Sequence, residues 1–491
     1  MTARSFRPGI LLAALGVLAS ACGPNAAPPS VAGGSTGPAP STGGTASASA
    51  PASAAAAASF PTDPVEIKWF CCLGGGDAPE QIAVSKKVAA DVSKKFPNIT
   101  VKYEAIPYDA ARDTFATQLA SGNGPDIVGP LGIGGANAFP GQWLDLTDLI
   151  AKYGYDTSQF PANIVDIYKL GDEGQVGIPF AVYPSALFYK KGMFEEAGLN
   201  EPPHKYGEKY VMPDGTEAEW NYETLRQVAL KLTVDANGKD ATEAGFDPKK
   251  IVQYGFEPQR DDLRGLGAYF GPGSLDSGDG KTVKVPDEWV TAWKYFYDAT
   301  WKDHITMTGP VYQSTEFNGG GYSFFTGKVA MSENFLWSTY GVADAGTDWD
   351  LAAIPSNGGK TTAAFNADTF RIVKSSKHPD AAFAVLTYLL GEGSKELLQA
   401  YGGMPAREAD QDAFFDTLGK TEGFPTEVDW QVARDGVEYA DQPNFEGPMP
   451  KYNETLDVMG TFLTKWTSTS GLNMDSEISE LTSQIQAIWN K

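Results

Sequence analysis

Hydrophobic positions alternate from Val65 to Phe70, recur at helical spacing through Val84, Val88, Val92 and Phe96, and alternate again from Ile99 to Ile106. A period of two, then about 3.6, then two again predicts a strand, a helix over 78–96 and a second strand. Pro97 stops the helix, and Asp77 with Glu80 predicts a capping box at its start. Lengths of this kind make a right-handed parallel crossover, the unit of an open α/β sheet. Ligands gather at the carboxyl ends of such strands, which is where 71–77 falls. From Gly177 to Leu199 the pattern changes to a Gly-Ile-Pro turn, an apolar run from Phe180 to Tyr189 suited to a buried strand, and a short helix closed by Gly198.

The rest of the chain keeps alternating between the two periods. A helix from about Ala110 to Leu119 leads to a short buried strand, Gly124 to Val128. Asn221 reads as the cap of a helix with Leu225, Val228, Ala229 and Leu232 on one face and Trp220 stapled onto Leu225. Before it, Pro213-Asp214-Gly215 predicts a hairpin turn inside a polar insertion, His204 to Glu219. Turns are expected at Asn237-Gly238 and across 276–280, with an aromatic helix around Trp289 to Tyr297. Helices follow at Pro379–Leu390 and Ser394–Tyr401, and the tail ends in an amphipathic helix with Ile478, Leu481, Ile485 and Trp489 on one face.

With 491 residues, 42% of them hydrophobic, the chain can bury a large core in more than one folding unit. Its formal charge of −23 argues against a nucleic-acid surface and against electrostatic docking on anionic lipid. Arg4 and Arg7 precede an apolar run, Ile10 to Leu18, too short to span a bilayer, so 1–21 reads as a signal peptide. Its removal takes the net charge from −23 to −25 through the loss of those two arginines. Residues 23–60 are almost entirely Gly, Pro, Ala, Ser and Thr and read as a disordered tether.

Few motifs support catalysis. The 3 histidines stand in no metal-binding spacing, and no GxSxG elbow occurs outside the low-complexity segment 23–60. The Gly129–Gly135 run lacks a strict GxGxxG because Asn137 stands where the last glycine belongs, which rejects a dinucleotide site. Asp235-Ala236-Asn237-Gly238 lacks the remaining oxygen ligands of a calcium loop. No cofactor or metal is expected. Carboxylate pairs that could serve a glycosidase arise by chance in so acidic a chain.

Several ordered motifs carry a resemblance. The Pro-led strand with Leu187-Phe188-Tyr189-Lys190-Lys191, Met193-Phe194 and Glu196-Ala197-Gly198-Leu199 resembles the first inter-lobe crossing of family 1 extracellular solute-binding proteins, the capture subunits of bacterial ABC importers. Gly124-Pro125-Asp126-Ile127-Val128 with Trp143-Leu144-Asp145-Leu146-Thr147, and Phe324 to Met331, match the same family, and Ser332 to Trp337 resembles the maltose-binding segment that ends in a sugar-stacking Trp. Leu18 to Cys22 resembles a lipobox, with Ala19 departing from the more usual Leu, and implies a diacylglycerol on Cys22; the alternative is ordinary cleavage after Ala21.

The resemblance implies an α/β, two-lobed periplasmic-binding-protein-like fold with three inter-lobe crossings, at 177–199, 349–355 and 402–407. Lobe 1 is expected at 63–181 and 356–405, lobe 2 at 182–355 and 406–491, after a tether over 22–62. It implies a monomeric, non-enzymatic, extracytoplasmic lipoprotein anchored to the cell membrane, with a carbohydrate ligand and an ABC permease as partners.

A pyranose has apolar C–H faces and a rim of hydroxyls, so its site needs aromatic faces and side chains that exchange several hydrogen bonds. Trp337 is the expected stacking face, or else a core tryptophan. Tyr183 is placed in the cleft by the crossing, or else bonds hinge backbone. Asn366 and Asp368 fall where the family returns to its first lobe. Asp77 accepts hydroxyls or only caps its helix, and Arg407 donates a bidentate pair or forms a surface ion pair. Cys71 and Cys72 form either a vicinal disulfide, whose ring could lie against a sugar, or two buried thiols. Within the family a glycerol phosphodiester or polyamine ligand stays open; outside it, a secreted carbohydrate-active enzyme or an adhesin.

Overall fold

The alternating segment around Trp69 forms β1, Val65–Cys71, and the one after it β2, Ile99–Ala105, joined in parallel across the helix Pro79–Lys95. β3, Ile127–Gly132, lies parallel to β1 on its other side. These coordinates, a computed structural model, describe residues 57–260, 262–317, 322–339, 348–421 and 423–491. The expected signal peptide, Cys22 and most of the tether lie outside the described residues. Residues before the expected boundary at 63 already pack on the first lobe: Ala58 N–H donates to Lys152 O at 2.9 Å, and Phe60 stacks on Tyr153 with centroids 4.2 Å apart.

Two sheets organise the molecule. The remaining strands are β4 Ile178–Pro184, β5 Ala186–Tyr189, β6 Val234–Asp235, β7 Ile251–Phe256, β8 Val329–Asn334, β9 Asp350–Ala352, β10 Phe365–Ile372 and β11 Met404–Pro405. One six-stranded sheet has the order β11-β4-β10-β3-β1-β2, and a five-stranded sheet has the order β6-β7-β8-β5-β9. Every residue of β4, β5 and β8 is buried, which explains why β4 and β5 read as continuous apolar runs rather than as alternation. The result is a two-lobed α/β fold.

The chain changes sheet at Ser185, three residues later than the expected boundary, because β4 pairs with β10 as far as Pro184. It returns between Ala352 and Phe365. After β11, which pairs with β4 at the edge of the first sheet, Trp430 packs against the fully buried Trp349 beside β9.

Local expectations met mixed outcomes. The Asn221 cap accepts from Thr224 N–H at 2.9 Å, and the hairpin at 213–215 joins Tyr210–Val211 to Glu217–Ala218. The strand expected at 124–128 starts only at Ile127 and runs on to Gly132. The Asp77 capping box is not formed. Pro79 takes the first helical position and holds Ala78 extended, so the helix starts one residue later and Gln81 Oε1 accepts from Ala78 N–H at 3.4 Å.

Candidate functional site

A cavity of about 560 Å³ opens between the two sheets, within the range of small-molecule sites. Its floor is the turn after β1, Leu73 to Asp77, at the carboxyl end of a central parallel strand. Gly76 adopts φ +110°, and a Cβ there would overlap Tyr401 Oη, so the turn passes this close only as glycine. Asp77 lines the cavity, with Oδ2 accepting from Tyr108 N–H at 3.0 Å. Cys71 and Cys72 are joined as a disulfide and are fully buried. They lie beneath the glycine turn, with Cys71 Sγ 3.8 Å from Tyr401 Oη, so the expected apolar face against a ligand is not presented.

β10 supplies the polar wall. Asn366 and Asp368 are two residues apart, so the pleat sets them on one face. Asn366 stands opposite Tyr183 of β4, and Asp368 opposite Gly132 of β3, with a register shift just after it. Tyr183 Oη donates to Asp368 Oδ2 at 3.2 Å. Burial pushes the Asp368 carboxyl up to about 7, partly offset by that hydroxyl, and holds the Tyr183 phenol well above its ordinary range. Asn366 is 7% exposed, and its Nδ2 has no hydrogen-bond partner although it lines the cavity. An unmet buried donor costs about 1–3 kcal/mol, which an acceptor on a ligand would recover.

The facing wall is aromatic. Trp337 follows β8, is half-buried, stacks on Phe335 with centroids 4.3 Å apart and tilts against Tyr183 at 5.1 Å. Beneath it, β8 carries Glu333, fully buried, which accepts from Ser185 Oγ at 3.1 Å and Tyr222 Oη at 2.8 Å. Burial pushes this carboxyl up to about 8 against the pull of those two hydroxyls. Ser185 is the residue at which the chain changes sheet, so Glu333 ties that passage to the second lobe.

Of the expected residues, Asp77, Tyr183, Trp337, Asn366 and Asp368 come together around one cavity. Arg407 does not. Its Nε donates to Gln159 Oε1 at 2.6 Å, Nη1 to Asp410 Oδ2 at 2.7 Å and Nη2 to Leu390 O at 2.9 Å, over the Phe160 ring. It lies two residues past the end of β11 and lines a separate surface hollow with Ser394 and Phe414. Its guanidinium is occupied there by the protein itself.

Glu446, Tyr322, Tyr401 and Gly132 line the cavity without having been expected. Glu446 Oε2 accepts from Gly134 N–H at 3.1 Å, and Glu446 O accepts from Asn137 Nδ2 at 2.8 Å. The Gly129–Gly135 run was the available signal: it fails as a dinucleotide loop, yet its bare backbone is what lets a distant carboxylate approach. Among the described residues no group of three His, Cys, Asp or Glu is placed to hold a metal ion.

Comparison with known proteins matches residues 77–396 to the family described as bacterial extracellular solute-binding protein. The ABC substrate-binding protein Lmo0181 of Listeria monocytogenes, solved with cycloalternan, superposes with a TM-score of 0.65 at 18% identity, covering 87% of this chain and 99% of that one. Maltose-bound MalE3 of T. maritima gives 0.61 at 19%, covering 86% and 99%. UgpB of Mycobacterium tuberculosis, solved with glycerophosphocholine, gives 0.63 at 15%, covering 87% and 98%. A curated binding protein of Brucella abortus is 27% identical over 133 residues, 24% of this chain and 29% of the relative's length.

Proposed function

This chain belongs to the family of bacterial extracellular solute-binding proteins, and from that premise we propose that it captures a di- or oligosaccharide between its lobes for an ABC importer. One observation carries the reading. A half-buried tryptophan face at Trp337 stands across a cavity of about 560 Å³ from a buried amide donor, Asn366, and a carboxylate, Asp368. A ring can cover the apolar face of a pyranose while the amide and carboxylate meet its hydroxyls.

Capture works by hinge closure. The polar wall belongs to one sheet and the aromatic wall follows a strand of the other, so only a ligand that touches both favours the closed state. The passages near Ser185, between 352 and 365, and after Pro405 form the hinge. The closed form is what a membrane permease reads. Cys22 carries the lipid and the segment after it tethers the monomer to the cell surface.

A second reading keeps the fold and changes the cargo. A relative was solved with glycerophosphocholine, so a phosphodiester belongs in the test. Against it, the described residues lining the cavity include no Lys or Arg to meet a phosphate.

The test is a thermal-shift screen of mono-, di- and oligosaccharides, glycerol phosphodiesters and polyamines, with product analysis by mass spectrometry. A ligand at about 100 times its Kd stabilises the fold by roughly 2.7 kcal/mol, a shift of a few degrees. Stabilisation by saccharides without product is the expected result. A response confined to charged compounds, or turnover of the sugar, overturns the reading.

A further inference from the structure

We propose that the cleft selects oligosaccharides of three or more units over disaccharides, holding the added ring beyond Tyr108 by a hydrogen bond from Arg264 Nη1. The inference rests on the carbohydrate reading above and sets the length of its ligand.

A second cavity of about 430 Å³ adjoins the first, and Leu73, Tyr108 and Gly135 line both. Among the described residues, Trp337, Asn366 and Asp368 line only the first, while Arg264 and Tyr452 line only the second. A ligand that meets both sets must therefore pass over the residues they share. Tyr108 is suited to that passage. It opens the helix Tyr108–Ala120 after β2, it is 58% exposed, and its N–H donates to Asp77 Oδ2 at 3.0 Å. An exposed aromatic face at the junction of two cavities is a platform for the apolar side of a pyranose.

The independent mark of a ligand is Arg264, only 2% exposed. Its Nη2 donates to Asp262 Oδ2 at 2.7 Å and to Tyr452 Oη at 3.2 Å, its Nε donates to Asp262 Oδ2 at 3.1 Å, and the guanidinium lies 5.1 Å from the centre of the Tyr452 ring. Nη1, by contrast, has no hydrogen-bond partner among the described residues. A buried N–H left open costs free energy, which an acceptor on a ligand would return. That acceptor is uncharged. Asp109 and Asp262 stand against Arg112 and Arg264, so this compartment has no surplus cation to call for an acid. A ring hydroxyl is the neutral acceptor a saccharide supplies. Tyr108 follows a strand of the six-stranded sheet and Arg264 a strand of the five-stranded one, so a ring held between them also favours closure.

The test is calorimetric titration of the full-length protein with the di-, tri- and tetrasaccharides of the α-1,4-glucose, β-1,4-glucose, β-1,4-mannose and β-1,4-xylose series. In the series that binds, the trisaccharide is expected to bind about tenfold or more tighter than the disaccharide, the size of one hydrogen bond from a charged donor. Arg264→Lys keeps a cation for Asp262 while removing Nη1, and Tyr108→Ala removes an exposed ring; each should bring that ratio close to one. Tyr108→Ala carries the test where Arg264→Lys fails to fold. A merely structural role would weaken both lengths alike and leave the ratio as it was. A disaccharide bound as tightly as its trisaccharide overturns this inference and leaves the carbohydrate reading standing. No saccharide bound overturns both. A ratio unchanged in both variants overturns the assigned position.

Discussion

The two walls of the cleft solve different problems. The wall built on the six-stranded sheet is bare backbone, an amide and carboxylates, all set by strand register and by turns that admit only glycine. The wall that follows β8 is a ring, Trp337, backed by Phe335 and seated on a strand whose every residue is buried. Polar groups at fixed angles discriminate among hydroxyl patterns, while an aromatic face adds affinity with little regard to detail. On the proposed function, selectivity would reside mainly in the first wall and affinity in the second.

Removing the ring tests that division most strongly. Trp337→Ala should weaken every saccharide that binds by about 2 kcal/mol or more, roughly 30-fold, and leave their order of preference intact. A changed order with little loss of affinity would reverse the roles of the walls.

The support beneath the ring gives the next effect, read as stability against pH. The Glu333 carboxyl is raised from 4.5 to about 8, so the folded state keeps a proton that the unfolded state has lost. Stability from this group is complete below about 4.5 and declines as pH climbs toward 8. Glu333→Gln should flatten part of that decline and raise the Tm at pH 8 by several degrees, measured by thermal melts across the range. A profile identical to the parent would mean that the anchor at Ser185 does not titrate.

A smaller change belongs to the polar wall. Asn366→Ala removes a buried donor that has no partner in the protein, so the Tm should hold or rise while saccharide affinity falls about 1 kcal/mol, roughly fivefold. Loss of stability instead would make Asn366 a structural residue. Arg407→Ala should have the smallest effect on binding, within about twofold, while the Tm falls a few degrees through its three lost bonds.

The legible parts of this chain were those set by local periodicity and turn chemistry. The parallel crossover, the Asn221 cap and the helices Pro379–Leu390 and Ser394–Tyr401 follow from spacing alone. Tyr183, Asn366 and Asp368 were legible through the crossing motifs, because a strand that passes between lobes must border the cleft. Two kinds of feature were not legible. Arg407 is placed by side-chain competition, where Gln159, Asp410 and a backbone carbonyl take its donors first, and no motif encodes that contest. Glu446 approaches the cleft from a segment more than 300 positions beyond Gly134 in sequence, so only the assembled fold brings them together.

Gly132 holds the backbone at φ −69°, a conformation open to any residue, and the nearest atoms leave ordinary contact distance for a methyl group. Alanine at this position therefore preserves the fold while filling the gap between the Asp368 and Glu446 carboxylates. Every glycine codon is one nucleotide from an alanine codon, so a single point mutation can reshape this part of the cavity lining with no intermediate that fails to fold.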